Sequence, residues 1–169
     1  MSKIILNLAV SLDSFIEGPK GEYDWCFNDQ DYGMTEFLAT TEHIFMGRKS
    51  FEELNKVAPD AFSDKNKVVF SRKMKEVEGI RIIRDNIEEE VQRIKIASEH
   101  NIWLFGGASL VSSFIQMNLI DELMLSVHPI LLGAGKPLFQ DIAHRLPLSL
   151  IKTHTYDTGL VQLHYQFVR

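Results

Sequence analysis

Two short apolar stretches each run into glycine and then into residues suited to starting a helix. They are Ile44-Phe45-Met46-Gly47-Arg48-Lys49-Ser50-Phe51 and Ile102-Trp103-Leu104-Phe105-Gly106-Gly107-Ala108-Ser109-Leu110. A glycine at such a junction lets a ligand approach the backbone, because no Cβ stands in the way. The free N–H groups and positive dipole end of the following helix favour an anion. Two such junctions suit the two phosphates of a dinucleotide, and Arg48 and Lys49 add charge beside one of them. These residues favour a cofactor-binding enzyme.

Each feature also has a plainer explanation. Gly106-Gly107 serves equally as a strand-to-helix turn without a ligand, and Ser109 either caps that helix or meets a phosphate. Arg48 either binds phosphate or pairs on the surface with Glu52 or Glu53. A surface pair contributes little, whereas a hydrogen bond to a charged group is worth roughly 1.5–3 kcal/mol. Ser71-Arg72 is a third candidate anion contact, set in a basic turn with Lys73 and Lys75. Gly133-Ala134-Gly135 reads as a loop or bulge. There is no P-loop, no Rossmann fingerprint and no nucleophile elbow. The six histidines lack metal-ligand spacing, so no metal site is expected.

The elements that must position these residues follow from periodicity. Ile4 to Val10 reads as a central strand buried on both faces. Ser11 to Asp24, with Asp13, Ser14, Gly18, Pro19 and Gly21, reads as a mobile loop. A helix is expected over 31–41, with Met34, Phe37 and Leu38 on one face, then a strand over 43–46 and a helix over 50–57. Strands follow at 68–71 and 80–83. Asn86 is a suitable N-cap for a helix burying Ile87, Val91, Ile94 and Ala97. After the strand at 102–105 comes a helix over 108–118. Period-two alternation around Leu123, around Leu148 and from Val161 to Phe167 predicts strands with one buried face. Strand–helix units first and strands last imply an α/β fold with a mixed, mainly parallel sheet and antiparallel strands at one side.

The chain has 169 residues and reads as one domain, 1–169. Its apolar content of 45% and charged content of 24% are ordinary for a globular protein. A net charge of −5 argues against a nucleic-acid or anionic-membrane surface, though not against a local basic pocket. The single cysteine, Cys26, excludes an intramolecular disulfide, and the N-terminal apolar run is too short for a secretory signal. No membrane helix is expected, and a cytoplasmic location is.

Four blocks resemble the dihydrofolate-reductase-like superfamily, in the branch containing the reductase domain of riboflavin biosynthesis. They are Leu8-Ala9-Val10-Ser11-Leu12-Asp13-Ser14-Phe15-Ile16, Met46-Gly47-Arg48-Lys49-Ser50-Phe51-Glu52, Val68-Val69-Phe70-Ser71-Arg72 and Leu104-Phe105-Gly106-Gly107-Ala108-Ser109. A fifth, Leu119 to Leu123 followed by Pro129 and Leu132-Gly133-Ala134-Gly135, is similar to the same branch. The resemblance implies a three-layer α/β sandwich and NADPH as cofactor. It would bring Gly47, Arg48, Lys49 and Ser50 to the cofactor phosphates and Ser71 and Arg72 to the adenosine 2′-phosphate. Gly106, Gly107, Ala108 and Ser109 would hold the pyrophosphate, and Ala9 and Ile16 would flank the nicotinamide.

By the same resemblance, Asp31 falls where dihydrofolate reductases place the carboxylate that binds the pterin; otherwise it is a helix-start aspartate. If it lined a closed pocket, desolvation would raise its pKa. Trp25 would cover the substrate or else pack in the core or the lid, and the segment from Ser11 to Trp25 would act as that lid. The chain departs from the branch in having Ser14 in place of glycine and Glu17 in place of a small residue. It has no arginine in 54–67 to grip a folate tail, and no zinc-deaminase signature. The resulting expectation is an NADPH-dependent reductase of a small heterocyclic or ribosyl-linked substrate, assembled as a homodimer. The rival is a non-catalytic nucleotide-binding or regulatory protein that keeps the cleft.

Overall fold

A computed structural model describes residues 2–168. The apolar run near the N-terminus forms β1 (Ile4–Ser11), the strand on which both faces of the sheet are organised. Ile4, Leu6 and Val10 belong to one core cluster, while Ile5 belongs to the other. Asn7 interrupts the run on the Ile5 face and is almost fully buried. The expected continuous apolar strand therefore carries one polar position, at the point where that face stops being core and becomes cleft.

Around β1 the sheet has eight strands. In chain order these include β3 (Thr41–Gly47), β4 (Asn66–Phe70), β5 (Arg81–Ile83), β6 (Asn101–Gly106), β7 (Glu122–His128), β9 (Leu148–Thr155) and β10 (Val161–Phe167). Their spatial order is β5-β4-β3-β6-β1-β7-β10-β9. The pairings from β5 through β7 are parallel, and β10 and β9 close the sheet antiparallel. This is the mixed sheet that the alternating C-terminal patterns predict. Parallel neighbours need helical crossovers, which cover both faces.

One face is covered by α3 (Ile87–Ala97) and α4 (Ala108–Gln116), through Val91, Ile94, Val111 and Phe114. The other is covered by α1 (Met34–Ala39) and α2 (Arg48–Val57), through Phe37 and Phe51. Trp103 anchors the second face, with ring centroids 5.6, 5.1 and 5.0 Å from Phe37, Phe62 and Phe105. Its indole N–H donates to the Asn7 carbonyl at 2.8 Å. The helix expected over 31–41 is shorter, because Tyr32 and Gly33 have positive φ and the helix begins only after them. Asn86 stands at the N-cap of α3 but makes no side-chain cap; its φ of 51° shows that it is used for left-handed backbone instead.

The segment read as a mobile loop after β1 is tied down. A short strand, β2 (Phe15–Glu17), pairs with β8 (Lys136–Pro137), and neither was legible from periodicity. The Asp13 carboxylate accepts the Leu132 and Gly133 N–H groups at 3.1 and 2.8 Å and the Ser11 hydroxyl at 2.7 Å. These bonds, the Ser11 one foremost, hold its pKa below the ordinary value. Among the described residues no helix is long and apolar enough to cross a membrane.

The Gly133-Ala134-Gly135 run forms the loop entering β8, as its sequence suggests. Gly135 has φ +142°, and a Cβ there would lie 2.1 Å from the Glu17 carbonyl oxygen. Gly135→Ala is expected to destabilise the protein by roughly 1–3 kcal/mol, since both the backbone and the β2–β8 contact forbid a side chain. Chemical denaturation of the variant beside Gly133→Ala, which meets no atom within 4 Å, checks this. Gly135→Ala should lose clearly more stability.

Candidate active site

The parallel register places the two glycine junctions side by side. Met46 pairs with Gly106 across β3 and β6, so the strands end together and α2 and α4 begin together. A Cβ on Gly47 would sit 3.9 Å from both the Gly106 oxygen and the Gly107 nitrogen. One on Gly107 would sit 3.3 Å from the Ser50 hydroxyl oxygen. Gly106 has φ +112°, a conformation that favours glycine. Neither N-cap glycine can cap its helix with a side chain, which leaves first-turn N–H groups for solvent or a ligand.

On either side of this meeting point lie two lobes of one cleft, about 1120 and 380 Å³. Lys49, Ser50, Gly107, Ala108 and Lys136 line both. The small lobe also takes Gly47, Arg48, Ser71, Arg72 and Ser109. The large lobe takes Ala9, Ile16, Gly106 and Asp31. Every residue that the sequence proposed for the cofactor therefore borders the cleft. The engagements of several are local: Arg48 pairs with Glu52 at 2.7 Å one turn along α2. Arg72 is largely exposed, with Asp85 at 3.7 Å. The Ser71 hydroxyl accepts the Lys73 and Met74 N–H groups.

Asp31 sits on the rim of the large lobe, exposed, with its carboxylate accepting the Thr35 N–H and hydroxyl at 3.0 and 2.7 Å. The Thr35 hydroxyl holds its pKa below the ordinary carboxylate value. The rise expected for a desolvated acid is absent, because the group is neither buried nor stripped of donors. At neutral pH it is an anion and a hydrogen-bond acceptor. Trp25 is not among the residues lining the cleft. Its ring packs edge-on against His128 at 5.3 Å, behind the wall, and Phe27 and Tyr32 form the cleft surface in its place.

The sequence reading missed Asn7, Phe27, Tyr32, His128 and Lys136, all of which line the large lobe. Lys136 pairs with Glu17 at 3.1 Å across β2 and β8, which brings an unforeseen cation to the boundary of the lobes. Only the glycine run just before Lys136 hinted at a close backbone approach. His128 is buried and its Nε2 accepts the Phe27 N–H at 3.0 Å, so Nδ1 carries the hydrogen donated to the Ser126 carbonyl at 3.0 Å. Burial lowers its pKa from 6.5. The burial of Cys26 raises its thiol to about 11, which leaves it unreactive at neutral pH.

A strand-end cleft of two lobes, one polar and glycine-lined and one aromatic, in a mixed sheet flanked by two helix layers, defines an α/β protein of the dihydrofolate-reductase-like fold. The family model of the RibD C-terminal domain matches residues 2–162, and the chain belongs to that family. Bacillus subtilis YyaP is 44% identical, over 98% of this chain and 95% of YyaP. Bacillus subtilis YwjB is 33% identical, over 96% and 97%. A crystal structure from Shewanella sp. PV-4, named for riboflavin biosynthesis, superposes with a TM-score of 0.89 at 25% identity over 99% of both chains. A Thermotoga maritima deaminase/5-amino-6-(5-phosphoribosylamino)uracil reductase shares the fold, with a TM-score of 0.76 at 12% identity, and this chain spans 57% of it.

The neutral, doubly bonded His128 holds the segment around Phe27 against the cleft. Its folded pKa lies below the unfolded value, so its contribution to stability is complete above about pH 6.5 and is lost as pH falls through the folded pKa. His128→Phe removes the acceptor of the Phe27 amide, at an expected cost of about 1–3 kcal/mol. Stability profiles between pH 7 and pH 5 check both statements: the slope should flatten in the variant.

Proposed function

We propose that the protein is an NADPH-dependent reductase that delivers a hydride to a small heterocyclic or ribosyl-linked substrate of pterin or pyrimidine type. The observation that carries this reading is the abutment of the Gly47 and Gly106–Gly107 turns between the two lobes. Side chains at these positions would fill the space, and their absence leaves a backbone-lined cradle with two helix N-termini. That cradle fits a dinucleotide pyrophosphate. Family membership in the RibD C-terminal domain agrees with it.

In this reading Gly106, Gly107, Ala108 and Ser109 hold the pyrophosphate, together with Gly47, Lys49 and Ser50. Arg48 reaches the same phosphates by leaving Glu52, and Ser71 and Arg72 take the 2′-phosphate at the end of the small lobe. Ala9 and Ile16 flank the nicotinamide at the mouth of the large lobe. The bound dinucleotide supplies the hydride; the protein orients the two reactants and keeps water away. β2, pinned by Asp13 and β8, holds Ile16 as a fixed wall. The Trp25–Phe27 segment closes the large lobe, with His128 as its latch. Asp31, an anion, accepts a hydrogen bond from the substrate and orients it, and the proton that completes the reduction comes from water.

The rival is a binding protein without turnover, and the Glu17–Lys136 ion pair at the junction of the lobes favours it. NADPH titration by calorimetry, paired with absorbance at 340 nm in the presence of folates and flavin precursors, separates the two. Binding with oxidation supports the reductase; binding with no oxidation supports the rival. The homodimer is part of the same proposal, with the exposed Leu150 and Ile151 of the edge strand β9 as the surface it would cover. Sedimentation velocity checks it.

Two substitutions test the assignment. Arg72→Ala should weaken NADPH roughly tenfold or more, the loss of one charge-assisted contact, and leave NADH nearly unchanged. Equal losses for both would remove Arg72 from the 2′-phosphate site. Asp31→Asn should raise KM for the substrate while the NADPH dissociation constant stays constant.

A further inference from the structure

The charges in the cleft are segregated, and α2 measures the segregation. Lys49 and Ser50 lie in its first turn, at the glycine cradle. Glu53 follows one turn later and Val57 two turns later. At 1.5 Å per residue these lie about 6 and 12 Å farther from the cradle. Asp31, ahead of α1, also lines this lobe. Neither Asp31 nor Glu53 has an ion-pair partner among the described residues.

The rest of the far lobe is uncharged. Trp103 and the Asn7 amide border it, with Phe27, Tyr32 and the neutral His128 around them. Among the described residues the Asn7 side-chain N–H finds the weak acceptor Met34 Sδ, at 3.8 Å. Among the described residues three cations line the large lobe, and all belong to its other end or to its cover. Lys49 and Lys136 are shared with the small lobe, and Lys136 is already paired with Glu17. Lys20 stands three residues beyond Glu17 on an exposed turn, next to Glu22.

Resting on the reductase reading above, we propose that this lobe takes a planar heterocycle whose outer part is uncharged or cationic, and that Asp31 and Glu53 reject phosphate and carboxylate tails. A flat ring fits between Trp103, Phe27 and Tyr32. A dianionic phosphate beyond it would stand among two carboxylates, and among the described lining residues Lys20, on the covering turn, is the one cation outside the cradle end. Like charges so placed discriminate strongly against the wrong ligand. The aromatic lobe therefore selects by charge as well as by shape. This separates the chain's substrate from the phosphoribosyl compound in the Thermotoga maritima enzyme's name.

The test uses two matched pairs of probes: 5-amino-6-ribosylaminouracil with and without its 5′-phosphate, and 7,8-dihydrofolate against tail-less 6-methyl-7,8-dihydropterin. Dissociation constants are read by calorimetry with NADP⁺ present, and kcat/KM with NADPH. In at least one pair the member without the anionic tail should bind about tenfold tighter, a gap that narrows with added salt. Glu53→Gln should narrow it, and Glu53→Lys should reverse it. Glu53 is exposed, so neither change threatens the fold. Equal or tighter binding of the anionic members would overturn the proposal, as would a gap that ignores both Glu53 variants. Failure of all four probes while NADPH binds would overturn the proposal and leave the cofactor reading standing. Failure of NADPH itself to bind would overturn that reading.

Discussion

The close approach of two backbone turns is the constraint on which the rest of the structure depends. β3 and β6 are parallel, and an irregularity after Phe45 sets Met46 opposite Gly106, so the two strands end at the same level. Each then turns at glycine into a helix, and the two helices leave from adjacent points. Any side chain at Gly47 or Gly107 would enter the gap between them. The neighbouring parallel strands, the apolar cores on both faces and the crossover helices all serve to hold that alignment. A shift of one residue in register would exchange the faces of a strand and separate the turns.

The cleft built around this point is made of different materials at its two ends. The small lobe depends on backbone geometry and helix ends, with the arginine side chains of Arg48 and Arg72 at its border. The large lobe depends on side chains packed from several elements: Trp103 and Asn7 from the sheet, Phe27 and Tyr32 from the segment before α1, and Leu54 and Val57 from α2. His128 belongs to both structure and surface. Its fixed tautomer ties the segment after β2 to β7, and its burial keeps charge out of the aromatic lobe.

Much of this was legible in the sequence because its signals are local. The strand–glycine–helix runs at Gly47 and Gly106 marked the cradle, and period-two alternation marked β7 and β10. The continuous run at Ile4 gave a doubly covered strand, although its polar Asn7 was passed over. What was not legible depends on contacts between distant segments. Lys136 reaches the cleft only because β8 pairs with β2, and both strands are too short for periodicity to register. Asp31 lines the large lobe at its exposed rim, and its hydrogen bonds to Thr35, which the sequence did not reveal, make it an ionised acceptor. Trp25 lies behind the wall because His128, a hundred residues away, offers its ring an edge to pack on. The loop after β1 carries the residues of a mobile segment, yet Asp13 fastens it to the turn at Leu132.

Because main-chain turns shape one end of this cleft and packed side chains the other, the two ends are encoded in separate parts of the chain. A side chain at Gly106 strains the left-handed turn ahead of α4, whereas change at positions such as Phe27, Glu53 or Val57 alters the wall of the large lobe alone. A library confined to those positions would vary the large lobe and leave the shape of the small one unchanged. The protein is, in that sense, already divided into a fixed frame and an exchangeable fitting.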